Sequence, residues 1–401
     1  MRYGRVWRNN ISAVMALLER EYETVKTPHY VLKLHEGDRK PLEKLFVRSI
    51  EASWKEFAER YGFTPQNPVI FEVFRRSKDF SVRTMGTKGL PALGVCFGTT
   101  VAMDSPRARR PGTYNWEATS HHEIAHVFTL QLSRGRVPRW LTEGMSSWEE
   151  RRRDESWGRD MKTMLHDRWA SDDLLKVLEF DAAFGTPLIG FAYFQGGLVA
   201  EWMEKKWGVE KVVEVLKAYG EDRRTGEILR RVLGTSPEDF DRDFRAFIGE
   251  ELQPMRRVPT WTEGAMARFA AAAEKGEDVA ENRIRLAWGH QRAGRAVDAD
   301  AQLDQLAKAG VEDPRIDLLL GLRALAGRRN QLARKKLLAA EKAGLEDHDL
   351  YVALARFAEE DEDDARAMAM WKRAQETNPW IAGPNSPALQ LARLAKAAGD
   401  L

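Results

Sequence analysis

The chain has 401 residues, enough for two or more domains with their own cores. Sixty-three Lys and Arg nearly balance 61 Asp and Glu, and a net charge of +2 gives no field favouring nucleic acid or an anionic membrane. Cys96 is the one cysteine, which excludes an intramolecular disulfide framework.

At the N-terminus, Arg2, Arg5 and Arg8 precede an apolar run from Ile11 to Leu18. Ser12 breaks that run, no small-residue cleavage site follows, and Glu19, Arg20 and Glu21 continue an amphipathic helix rather than a signal peptide. No window has the apolar length of a membrane span. A cytoplasmic protein is the default expectation, with export left open if the N-terminus is trimmed.

Residues 29–35 alternate like a strand, and Val69 to Phe74 form a second short one. Between them, Leu42 to Tyr61 has helical periodicity, with Leu45, Phe46, Ile50, Trp54 and Phe57 on one side. Val95 to Met103 is a third strand, rich in β-branched residues and flanked by Gly94 and Asp104-Ser105-Pro106. Arg107, Arg109 and Arg110, like Arg151 to Arg153 further on, read as solvated charge rather than a phosphate site.

A helix then opens at Asn115, a suitable N-cap, with Glu117 in its first turn and Gly135 as its stop. It carries His122-Glu123-Ile124-Ala125-His126. Residues four apart lie on one face of a helix, so both imidazoles can point at one metal ion. Glu123, about 100° further round, can reach a water on that metal without displacing a ligand. Two solvated histidines on an exposed helix would be the bland alternative. Ile124, Val127, Phe128, Leu130 and Leu132 leave almost no polar face, so the helix is buried and its histidines need partners.

A catalytic zinc site takes three protein ligands and one open position, so a third ligand is needed. Pro138 suits the first turn of a following helix, running to about Arg152, that carries Glu143 inward beside Trp140, Leu141 and Met145. An ordinary surface glutamate is the alternative, but an unpaired carboxylate among those neighbours would be costly.

With Trp140-Leu141-Thr142-Glu143-Gly144 behind the His122–His126 motif, the chain resembles the gluzincin zinc metallopeptidases. More narrowly it resembles bacterial peptidase-MA-like proteins that carry tetratricopeptide repeats. The resemblance runs from about Phe71 to Gly208 and includes Gly94-Val95-Cys96-Phe97-Gly98 and Ala192-Tyr193-Phe194-Gln195-Gly196. It implies Zn2+ held by His122, His126 and Glu143, with Glu123 as general base. Sixteen residues separate His126 from Glu143, fewer than in the thermolysin-like or aminopeptidase branches. Ser147 stands one turn after Glu143, where some relatives place an acidic residue that orients a ligand histidine.

Such a fold needs a small mixed sheet ahead of the active-site helix, with one edge strand bordering the cleft and able to pair with an extended substrate. Val95 to Val101 is the expected edge strand; an interior strand with Cys96 as a small core residue is the alternative. Leu188 to Trp207 reads as another buried helix. Its Tyr193 resembles the tyrosine that gluzincins aim at the developing oxyanion, with aromatic packing as the other reading.

Ser236 to Phe240 cap a short helix ending by Glu251, and Pro254 to Pro259 read as a linker. Beyond Thr260 β-branched residues almost vanish. Leu286, Leu320 and Leu354 recur at 34 residues, as do Ala340 and Ala374, while Gly294 and Gly327 are 33 apart. That period looks like tetratricopeptide repeats, paired helices in each unit. The acidic run Glu359 to Asp364 fits a solvated turn.

The expected architecture is an α+β zincin-like metallopeptidase domain over residues 1–255, followed by an all-α tetratricopeptide-like helical repeat domain over 256–401. In the first domain the sheet-containing part covers about 25–110 and the active-site helices about 115–250. The expected function is a zinc-dependent peptidase that hydrolyses peptide bonds with a metal-activated water and Glu123 as base. Its partners would be a peptide or protein substrate and a protein bound through the repeats, with no nucleic acid and no membrane span. The alternative is a repeat-based interaction scaffold carrying a structural or inert zinc domain.

Overall fold

The computed structural model describes residues 2–398 apart from 88, 90 and 91. The remaining residues of the two expected domains (1, 88, 90, 91 and 399–401) lie outside the described residues. Helices predominate, with one mixed five-stranded sheet. Compactness divides the chain into two units, residues 1–159 with 175–244, and residues 160–174 with 245–401. The sequence reading has a single boundary at 255/256.

In the first unit, α1 (Arg2–Glu21) leads into β1 (Tyr22–Lys26), β2 (Tyr30–His35) and α2 (Glu36–Tyr61). Then come β3 (Val69–Phe74), α3 (Ser77–Met85), β4 (Gly94–Cys96), β5 (Thr100–Asp104), α4 (Trp116–Leu132) and α5 (Arg139–Arg153). After α6 (Lys162–Ala170), which belongs to the second unit, α7 (Ile189–Trp207), α8 (Val209–Tyr219), α9 (Thr225–Ile228) and the start of α10 (Pro237–Glu251) complete it. Ser236 caps α10 as expected, its Oγ accepting from Asp239 N–H at 3.0 Å.

The strand order is β1-β2-β3-β5-β4, with β2, β3 and β5 parallel and both outer strands antiparallel to their neighbours. Alternation sends Tyr30, Leu32, Leu34, Phe71 and Val73 to one face, all buried. Against that face lie α2 and α4, through Phe46 on Phe71 and through Trp54 and Phe57 on Phe128. The other face packs Phe74 and Ala102 on Val14 and Leu18 of α1 and Phe80 of α3. The central strand β3 is therefore covered on both sides, as its run of apolar residues requires.

Several expectations change. Val95 to Val101 is not one strand but a hairpin of β4 and β5, turning where Gly98 adopts φ +82°. β4 is a sheet edge and holds the half-buried Cys96, while β5 is interior, so the edge reading fits β4 and the reading of Cys96 as a core residue of an interior strand does not hold. Leu45 does not join the apolar face of α2; it is 42% exposed. Five of the arginines are not free solvated charge: Arg107 pairs with Asp38, Arg109 with buried Asp104, Arg151 with Glu201, Arg152 with Glu149 and Glu56, and Arg153 with Glu56.

The second unit holds α6 and α11 (Glu263–Glu274), α12 (Val279–Arg292), α13 (Ala296–Lys308), α14 (Pro314–Ala326), α15 (Asn330–Lys342), α16 (His348–Glu360), α17 (Asp364–Thr377) and α18 (Pro387–Ala398). Consecutive helices pair as α12 with α13, α14 with α15 and α16 with α17, around a core including Leu318, Leu337, Leu350 and Trp371. The second helix of each pair begins at Ala296, Asn330 and Asp364, a step of 34 residues each time. Within the pairs, the left-handed turn residues are Gly294, Arg328 and Glu362, again 34 apart. Gly327 is thus one residue short of the true equivalent of Gly294. Ahead of each pair Gly276, Gly310 and Gly344 hold the same place at the same period, all with positive φ. The acidic run does form a turn, though its residues are partnered: Asp363 caps α17, and Glu359 accepts from Trp371 Nε1 at 2.6 Å.

Residues 254–259 are not a free linker. Arg256 N–H donates to Thr377 O at 2.8 Å, His348 N–H donates to Arg256 O at 2.8 Å, and Val258 N–H donates to buried Asp347 Oδ2 at 2.7 Å. Residues 160–174 join this unit through Asp167, whose Oδ1 accepts from Arg257 at 2.6 Å and from Thr260 N–H at 2.8 Å. Among the described residues no helix is long and apolar enough to cross a membrane.

Candidate metal centre

Helix α4 starts where Asn115 Oδ1 accepts from Ala118 N–H at 3.1 Å, and ends where Gly135 N–H donates to Leu130 O at 2.7 Å. Between these stops it is buried almost all round, including Glu123 and His126. Helix α5 enters from Pro138 and lies very close to α7. A Cβ on Gly144 would stand 2.6 Å from Gly196 O, so only glycine permits this approach. That contact sets Glu143 of α5 between His122 and His126 on one side and Tyr193 of α7 on the other.

His122 Nε2 and His126 Nε2 are 3.1 Å apart, and they lie 3.3 and 3.2 Å from Glu143 Oε2. Donors about 2.0–2.1 Å from a tetrahedral zinc are separated by about 3.3–3.4 Å, so the three spacings, slightly shorter, fit such an ion. The hydrogen bonds behind the donors fit it too. Thr129 Oγ1 donates to His126 O at 3.4 Å, and Thr142 Oγ1 stands 2.7 Å from Thr129 Oγ1 and 2.7 Å from His126 Nδ1. This chain is satisfied when His126 carries its proton on Nδ1, which leaves Nε2 a lone pair. Glu150 does the same for His122, its carboxylate meeting Nδ1. Two lone pairs and a carboxylate oxygen then face one another, an arrangement that asks for a cation.

The electrostatics favour positive charge at this place, a proton on His122 or a cation in its stead. Burial works to lower the pKa of His122, yet Glu150, Glu143 and Glu123 hold it well above the ordinary value. Burial works to raise Glu143, yet His126 and His122 hold it well below. On its other oxygen, Glu143 Oε1 accepts from Tyr193 OH at 3.0 Å and from Arg139 Nε at 3.2 Å.

Glu123 is the exception in this network. Its Oε2 is buried without a hydrogen-bond partner, and burial first of all pushes the carboxyl up to about 7. It borders a cavity of about 530 Å³ lined also by Gly94, His122, Trp157, Arg159 and Tyr193. β4, the outermost strand, runs past it.

The structure thus brings His122, Glu123, His126, Glu143 and Tyr193 together. Glu150 and Arg139 join them, and Thr142 and Gly94 take roles beyond their place in the sequence motifs. Glu150 had a signal in the sequence: it stands seven residues after Glu143, two turns along the same face, beyond the one-turn position held by Ser147. A second group, Glu56, His121 and Glu149, also has metal-like spacing. Its carboxylates already meet Arg60, Arg152 and Arg153, and three guanidiniums exclude a further cation. Compared with models of protein families, with curated proteins and with solved structures, the chain gives no match.

Proposed function

We propose that the chain is a zinc-dependent peptidase of gluzincin type, its first unit a zincin-like domain and its second a stack of tetratricopeptide-like helix pairs that engages a protein partner. The observation carrying this reading is the convergence of His122 Nε2, His126 Nε2 and Glu143 Oε2 at 3.1–3.3 Å, beside a buried carboxylate that makes no use of its second oxygen. Zinc held by those three supplies Lewis acidity that makes water nucleophilic near neutral pH. Glu123 accepts a proton from the attacking water and delivers it to the amine as the C–N bond breaks. Tyr193, whose hydroxyl donates to Glu143 here, would turn to donate to the carbonyl oxygen as it gains charge. The open edge of β4 offers backbone partners for an extended substrate.

An inert zinc scaffold would need the three ligands and nothing more. It gives no use for Glu123 Oε2 or for the absent side chain at residue 94.

Protein purified without added metal is expected to hold one zinc per chain by elemental analysis, to lose most of it in His126→Ala, and to cleave members of a broad peptide library. Full zinc in His126→Ala would refute the ligand set. A zinc-loaded protein that cleaves nothing would refute the peptidase.

A further inference from the structure

Three guanidiniums line the cavity, and two of them are committed: Arg139 to Glu143 and Arg151 to Glu201. Arg159 differs. Among the described residues no carboxylate pairs with it. Its guanidinium lies over the ring of Tyr193, 5.1 Å from the centroid, and that ring is 6.3 Å from the ring of His122. A cation on the face of an aromatic ring keeps its full charge and its in-plane donors.

Its second neighbour sharpens the point. A Cβ on Gly190, in the first turn of α7, would stand 3.8 Å from Arg159 Nη1. A helix N-terminus carries partial positive charge, so it repels a guanidinium and attracts an anion. Arg159 and the start of α7 therefore present positive charge from two directions to the same part of the cavity. Arg159 is exposed, so a carboxylate arriving with a substrate could reach it and would meet positive charge from both directions.

We propose that Arg159 is a specificity residue that draws a substrate carboxylate into the cavity beside Tyr193, so that acidic peptides are preferred. This rests on the peptidase reading. The carboxylate is an Asp or Glu side chain near the scissile bond or the substrate's own C-terminus; both give the same bidentate pairing with a guanidinium.

The test uses one labelled peptide in matched forms: Asp against Asn at single positions, and a free C-terminal acid against its amide. Cleavage by the full chain gives kcat and KM. Anisotropy with the Glu123→Gln protein gives binding without cleavage. The wild type is expected to favour the acidic form by about tenfold, mostly through KM, as charge-assisted hydrogen bonds allow. Arg159→Gln should bring the acidic-to-neutral ratio near one, Arg159→Lys should restore part of it, and Arg159→Glu should invert it toward lysine-containing peptides. The Asp/Asn and acid/amide pairs then tell which carboxylate is read. Equal use of acidic and neutral forms by the wild type, or a preference that survives Arg159→Gln, overturns the proposal. If no peptide is cleaved but acidic peptides bind in an Arg159-dependent way, the peptidase reading fails and the carboxylate site stands. Neither cleavage nor binding overturns both.

Discussion

Glu123 Oε1 lies 2.6 Å from the point where a Cβ on Gly94 would stand, and Glu123 Cγ lies 2.7 Å from it. The edge strand and the carboxylate thus share a space that only glycine leaves open. Gly94→Ala cannot be absorbed by the carboxylate tip alone, because Cγ is in the way as well. Glu123 or β4 must shift by a substantial fraction of an ångström. Misplacing a catalytic group by about 1 Å costs about 100-fold, so peptide turnover should fall by that order. Zinc content should stay at the wild-type level, since no ligand is touched. Turnover and elemental analysis on the same preparation decide it; unchanged turnover would mean that the position of Glu123 is immaterial.

Glu150 meets His122 Nδ1 and fixes its Nε2 toward Glu143 and His126. Glu150→Gln keeps the size of the side chain and removes the charge. Loss of such a partner weakens metal affinity by about 10- to 100-fold. Competition with a chromophoric chelator should show that loss, with secondary structure by circular dichroism unchanged. An affinity equal to the wild type's would assign Glu150 to packing only.

What was legible in the sequence was local. Two histidines four apart on a buried helix can be read from helical periodicity, and so can a glutamate set against the core by Trp140, Leu141 and Met145. Contacts between elements were not legible. The need for Gly94 depends on where β4 passes α4, and the need for Gly144 depends on the backbone of α7. The hairpin at Gly98 was hidden because β-branched residues continue through both arms. In the second unit Leu286, Leu320 and Leu354 show the 34-residue period, but Gly327 stands one residue off it, and the positive φ that puts Gly276, Gly310 and Gly344 on it depends on turns that composition does not reveal. Pro254 to Pro259 looks like a linker in composition, but its backbone is consumed by Thr377, His348 and Asp347.

Asp347 is expected to make the stability of the second unit depend on pH. It is 1% exposed, accepts from Val258, Asp349 and Leu350 N–H, and is pushed up to about 6, chiefly by burial and next by Asp349. The folded state therefore keeps a proton between about pH 4 and about pH 6 that the unfolded chain has lost. Stability from this group is greatest at acid pH and falls as pH rises through that window, then levels off. Two pH units correspond to about 3 kcal/mol at most. Asp347→Asn loses one acceptor at every pH but has no titration. The difference in unfolding free energy, wild type minus Asp347→Asn, should decline by about 2 to 3 kcal/mol from pH 4 to pH 6.5 in denaturant titrations. A flat difference would show that Asp347 titrates as an ordinary carboxylate.

Glu123 separates an enzyme from a scaffold. It stands beside the three candidate ligands, yet its Oε2 bonds to nothing, and no ligand depends on it for orientation: Glu150 holds His122, Thr142 holds His126, and Tyr193 and Arg139 hold Glu143. Glu123→Gln preserves shape and hydrogen-bonding capacity and removes the base. General-base catalysis contributes about 100- to 10,000-fold, so peptide cleavage should drop by that order. Zinc content should not fall. Melting temperature should hold or rise, because the substitution removes the cost of burying a carboxylate that has one oxygen unpaired. Both arms are needed. A drop in cleavage with zinc lost would make Glu123 part of metal binding, and cleavage that survives with zinc retained would move the chemistry to another group. Only retained zinc with lost cleavage fits a buried carboxylate whose one task is to carry a proton.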